Sequence, residues 1–146
     1  MSLRVEIAEA LRALLANATF GLSVTVQRSR VPVVDLKDLT GAGVFLTVVP
    51  RAIEEELASR SESALTIRVD VGVQCKPATL DDADLDPLDD LVEALLDVVR
   101  RQRLTLAGGT TAVWVSHTNE PIVLAEHLDE DRVYSSVVTV TYRLVV

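Results

Sequence analysis

Several residue types are scarce in this chain of 146 residues. It has one cysteine, so Cys75 cannot form an internal disulfide, and fold stability has to come from packing. Aromatic residues make up only 3% of the sequence, so the core must be assembled from Val, Leu, Ile and Ala. Lysine is nearly missing, with two lysines against twelve arginines, and 22 acids outnumber 14 bases to give a formal charge of −8. That balance lacks the basic footprint of a protein that reads nucleic-acid sequence. It is compatible with a wall that DNA slides past, because acids repel phosphate. No apolar run approaches the ~20 residues of a membrane span. The opening residues are charged and amphipathic rather than a leader, which leads us to expect a chain that folds in a reducing cytoplasm.

The length suits a single domain, expected over residues 1–146. The clearest pattern is an eleven-residue alternation. Leu65, Ile67, Val69, Val71, Val73 and Cys75 are apolar, whereas Thr66, Arg68, Asp70, Gly72 and Gln74 are not. Period two over that length predicts a long strand with one buried face. Cys75 lies on the apolar phase and reads as a buried, inert thiol. After Lys76-Pro77 and an acidic loop, Asp86 is expected to cap a helix that Pro87 begins. Leu88, Leu91, Val92, Leu95, Leu96 and Val99 mark its apolar stripe. Arg100, Arg101 and Arg103 are expected in its last turn, where the helix dipole favours cations.

Elsewhere, Ser2 is placed to cap a first helix carrying Leu3, Ile7, Leu11, Leu14, Leu15 and Ala18 on one stripe. Leu22, Val24 and Val26 predict a first strand, and Arg28 to Gly43 a surface connection with an extended piece at Val31–Leu36. Val44–Val49, closed by Pro50, reads as a strand covered on both faces. Residues 51–63 are read as either a short helix, with Ile53 and Leu57 inward, or an exposed loop. Ala112–Ser116 and Ile122–Ala125 read as short extended pieces, and Glu126–Arg132 as a charged loop. Tyr134–Val146 closes the chain as a second long strand. The expected fold is α+β: a two-layer sandwich with a mainly antiparallel sheet of four to five strands and two helices on one face.

Candidate sites are few. Asp82, Asp84 and Asp86 have the opening spacing of a calcium loop, but Pro87 stands where the sharp-turn glycine belongs and Glu93 is the wrong twelfth position. The helix-start reading accounts for these acids, and no metal is expected. His117 and His127 lack ligand spacing and read as exposed loop residues. Ser116-His117 has no nucleophile-elbow glycines around it. Gly41-Ala42-Gly43 and Gly108-Gly109 lack the rest of a phosphate-loop motif. Trp114, flanked by Val113 and Val115, reads as core. No enzyme activity and no cofactor are expected.

Some features together resemble one family. These are the opening helix to Ala18, Val48-Val49-Pro50, Ser59-Arg60, the run Ile67–Lys76 with its acidic turn and helix Leu88–Val99, and the ending Tyr134–Tyr142. In order and spacing they are similar to the tail terminator (tail completion) proteins of long-tailed bacteriophages. The resemblance runs over nearly the whole chain and rests on no sharp motif. It implies a structural virion protein, located at the head–tail junction and assembled in the host cytoplasm. It also implies a homohexameric ring that ends the tail tube and joins it to the head, with a tail-tube protein and a head-completion protein as partners and DNA passing without sequence-specific binding. Another neck or tail-tube protein, or a small-ligand-binding or hydrolytic α/β domain using His117 and His127, is the alternative.

On the ring reading, two sets of interface residues are expected. One is the arginine cluster Arg100, Arg101 and Arg103. The other is the pair of long strands, through Leu65, Ile67, Val69, Val138, Val140 and Tyr142, on the expectation that their edges are free. Glu54, Glu55, Glu56, Asp81, Asp82, Asp84, Glu130 and Asp131 are expected at the lumen or at subunit junctions.

Overall fold

A computed structural model describes residues 2–31, 43–120 and 122–146. The described elements are α1 (Leu3–Ala16), β1 (Val24–Arg28), β2 (Val44–Leu57), β3 (Ser63–Cys75), α2 (Asp82–Val99), β4 (Arg103–Thr105), β5 (Thr111–Asn119), α3 (Ala125–Asp131) and β6 (Tyr134–Val145). The fold is α+β, with one six-stranded sheet in the order β1-β2-β3-β6-β5-β4. All neighbours are antiparallel except β1 and β2. Among the described residues the sheet therefore has more strands than expected, and there are three helices rather than two. Of the extended piece expected at Val31–Leu36, Val31 lies in a bend and the rest falls outside the described residues. So do Gly41 and Ala42.

The long alternation forms the centre of the sheet. Leu65, Ile67, Val69, Val71, Val73 and Cys75 face the helices, and their partners Leu144, Tyr142, Val140, Val138, Ser136 and Tyr134 face the same way. Ile7, Leu11 and Leu15 of α1 and Leu88, Leu91, Leu95 and Val99 of α2 join them in one core. Each such side chain, fully withdrawn from water, stabilises the fold by roughly 1.5–3 kcal/mol.

Two bulges explain what alternation could not reveal. In β2, Pro50 pairs with Val69 and Ala52 with Arg68, which leaves Arg51 as an extra residue. The phase flips there: Val44, Leu46 and Val48 face the core before the bulge and Ile53 after it. Residues 51–57 are thus neither helix nor loop but the second half of a 14-residue strand. In β5, Trp114 pairs with Tyr142 and Ser116 with Thr141, so Val115 bulges and both Trp114 and His117 turn to the helix side.

Helix α2 starts earlier and ends earlier than the sequence suggested. Its cap position is Asp81, not Asp86, and Pro87 lies inside it. The Thr79 hydroxyl accepts from the Asp81 N–H at 3.1 Å and donates to Asp84 Oδ2 at 2.6 Å, which organises the extra turn. Leu85 then packs against the core. Pro87 lacks an N–H for the helix ladder, but its fixed φ is helical, so the turn survives. The helix stops at Val99; Arg100 is its cap, and Arg101 is left-handed at φ 61°. The three arginines therefore lie beyond the last turn, with Arg103 in β4. The expected loop at Glu126–Arg132 is α3, ended by a left-handed Arg132.

Candidate functional site: the open sheet face and its edges

Helices α1 and α2 cover one face of the sheet. The other face divides into two halves. Near the end where β3 finishes and β6 begins, Thr47, Gln74 and Ser135 are buried although polar. Gln74 donates to Ser135 Oγ at 3.3 Å, Gln27 donates to Thr47 Oγ1 at 3.4 Å, and His127 Nδ1 lies 2.8 Å from Ser135 Oγ. The backbone N–H of Leu124 donates to the Ser135 carbonyl, which seats the start of α3 here. Such a satisfied network fixes how α3 meets the sheet.

The other half is an open groove of about 690 Å³, lined by Arg51, Thr66, Arg68, Ser116, Thr118, Thr139 and Thr141 among others. Asp70, only 8% exposed, lies under it. It accepts from Thr139 Oγ1 at 2.7 Å, and Arg51 stands 3.7 Å away. Arg68 pairs with Glu54 at 2.8 Å and Arg143 with Glu56 at 3.3 Å. The groove is hydroxyl-rich and internally charge-balanced, a smooth polar surface rather than an anion trap.

The expected strand interface is corrected. Leu65, Ile67, Val69, Val138, Val140 and Tyr142 are at most 5% exposed. β3 and β6 pair with each other and each has a second neighbour, so neither has a free edge. Their length reflects the depth of the sheet, not overhang. The free edges lie elsewhere. β1 pairs only with Val44–Val48 of β2, so among the described residues no strand covers the outer side of residues 50–57. At the opposite edge, no strand among the described residues lies outside β4.

The acids fall into separate places. Glu54, Glu55 and Glu56 lie exposed on the free part of β2. Asp81 and Asp82 are exposed at the start of α2 with Asp84 half-buried beside them, and Glu130 and Asp131 are exposed on α3. The last two groups are attached where β3 ends and β6 begins, remote from Glu54–Glu56. Among the described residues, no three His, Cys, Asp or Glu side chains gather as a metal site.

The histidines are not loop residues. His117 sits on β5, half-buried on the helix side, its ring 5.4 Å from that of Trp114. Burial, helped by nearby Arg100 and opposed by Asp97, lowers its pKa. His127 lies on α3 and touches Ser135 on the other face. The two cannot share a site, because a sheet separates them. Ser116 points away from His117, since adjacent strand residues face opposite sides. The Tyr134 hydroxyl was not singled out by the sequence; it donates to Asp89 Oδ1 at 2.6 Å and ties β6 to α2. Burial, then that carboxylate, pushes its pKa well up. Burial does the same to Tyr142 and to the Cys75 thiol.

A chain from the virion of a native gene transfer agent particle is similar to this one in structure. The TM-score is 0.54, over 98% of this chain and 94% of that chain. Sequence identity is 14%, so the likeness is one of fold. No protein-family profile and no curated protein sequence matches the chain.

Proposed function

We propose that this chain is a structural, non-enzymatic component of a phage-like particle, and specifically the homohexameric ring that ends a tail tube and joins it to the head. The observation that carries this reading is the end-to-end likeness to a virion chain, which covers nearly all of both molecules. The order of elements that resembles tail terminators supports the finer assignment. A ring needs head-to-tail contacts between two different patches, and the sheet has two free edges of different chemistry. A net charge of −8 suits a conduit along which DNA moves without sticking. Its partners are a tail-tube protein below and a head-completion protein above. The acids at Asp81–Asp84 and Glu130–Asp131 belong on this reading to the lumen or to those axial contacts.

Deletion of the gene in a particle-producing strain tests the reading. The expected phenotype is filled heads beside unjoined tubes of uncontrolled length, restored to whole particles by the gene supplied in trans. Normal joined particles from the deletion strain would rule the role out.

A further inference from the structure

The sheet's register puts two oppositely charged edges, free among the described residues, level with one another. Arg103 pairs with Val113, Val113 with Arg143, Arg143 with Thr66, and Thr66 with Glu54. These five residues form one row across the sheet, so Arg103 and Glu54 stand at its two ends and point to the same face. Four successive antiparallel pairings separate β2 from β4, so the two edge strands run in the same direction. A copy placed beside the first by rotation about an axis along the strands would thus bring β4 alongside β2 in parallel. That is the pairing β1 already makes with the upper half of β2.

Charge selects this arrangement. Glu54 and Glu56 have intramolecular partners in Arg68 and Arg143, and Arg100 has Asp97. Among the described residues, no ion pair within the chain holds Glu55, Arg101 or Arg103. Of the charges at these two edges, the acid left without an ion pair is on β2, and the bases left without one are on and just before β4. Pairing two β2 edges would set acid against acid, so the edge is built against a two-fold dimer and for a head-to-tail neighbour.

We propose that the lower half of β2, residues 50–57, receives β4 of a second copy of this chain, with Arg103 facing Glu54 on the open face of the sheet and Arg101 adding positive charge beside this acidic stretch. This rests on the ring reading and chooses among its acidic segments: the arginines meet Glu54–Glu56, not Asp81–Asp90 or Glu126–Asp131.

Charge reversal and cross-linking test it on the full chain. Arg103→Glu and Glu54→Arg should each weaken assembly about tenfold per junction, and together restore it to about the wild-type level, the signature of a direct pair. Both variants should keep the wild-type circular dichroism, since among the described residues Arg103 is in no ion pair and the Glu54–Arg68 pair is exposed and weak. In a second arm, Glu54→Cys with Arg103→Cys in one chain should give a disulfide-linked ladder on oxidation, and either cysteine alone should not. A wild-type ring with no ladder and no rescue would overturn this contact and leave the ring reading standing. A wild-type chain that stays monomeric at every concentration would overturn both.

Discussion

Alkaline pH should unfold this protein in one cooperative step, and its only two tyrosines should report it. Tyr134 and Tyr142 are 2% and 0% exposed. Burial raises both phenols far above their ordinary value near 10, with Asp89 adding to the effect at Tyr134. A raised folded-state pKa means the stabilisation is fully present below pH ~10, where both states hold the proton, and is lost as pH rises. Above pH ~10 the unfolded chain releases two protons that the folded chain keeps. The loss then approaches about 1.4 kcal/mol per pH unit for each tyrosine, or about 2.7 for both. By pH ~12 roughly 5 kcal/mol is gone, comparable with the whole stability of a small domain at about 5–15 kcal/mol. Tyrosinate absorbance should therefore stay flat past pH 10 and then rise steeply, together with loss of far-ultraviolet circular dichroism. Tyr134→Phe should roughly halve the slope of stability against pH in this range. Two gradual, independent phenol titrations near pH 10 with the fold intact would refute the burial argument.

The remaining predictions concern the helices and the core. Thr79→Ala should cost about 1 kcal/mol, a typical cap loss, whereas Asp86→Ala should stay within about 0.5 kcal/mol, because the helix starts at Asp82; urea unfolding separates the two, and reversed sizes would restore Asp86 as the cap. Leu95→Ala, at a fully buried position, should cost about 2–5 kcal/mol by the same measurement. The lowered pKa of His117 means that folding holds its neutral form, so stability is present above pH ~6.5 and falls as pH drops below it. His117→Gln should flatten the stability profile between pH ~6.5 and 5; an unchanged profile would show that the ring titrates freely.

The parts of the fold that followed one uninterrupted period were legible in the sequence. Leu65–Cys75, the closing strand and the apolar stripe of α2 appear where period two and period 3.6 put them. The misreadings come from single-residue events that shift phase. The bulge at Arg51 moves Ile53 onto the core face and makes residues 51–57 look patternless. The bulge at Val115 places Trp114 and His117 on one side although they are three apart. Pro87 looked like a helix start because its backbone angle suits one, yet Thr79 and Asp81 organise a turn before it. The arginines could be recognised as a cluster, but their place beside a sheet edge depends on β4, a strand of three residues. Strand length did not reveal which edges are free. That depends on strand order, and it was the order that moved the candidate contact from β3 and β6 to β2 and β4.

On the proposed function, this chain closes into a ring. Light scattering on the size-separated wild-type protein measures it most directly, with negative-stain images of the same peak. The expected result is a particle of about 95 kDa, six copies of a 15.8 kDa chain, with sixfold end-on views and a central hole. A single species of 15.8 kDa at all concentrations, or a two-fold dimer, would contradict it.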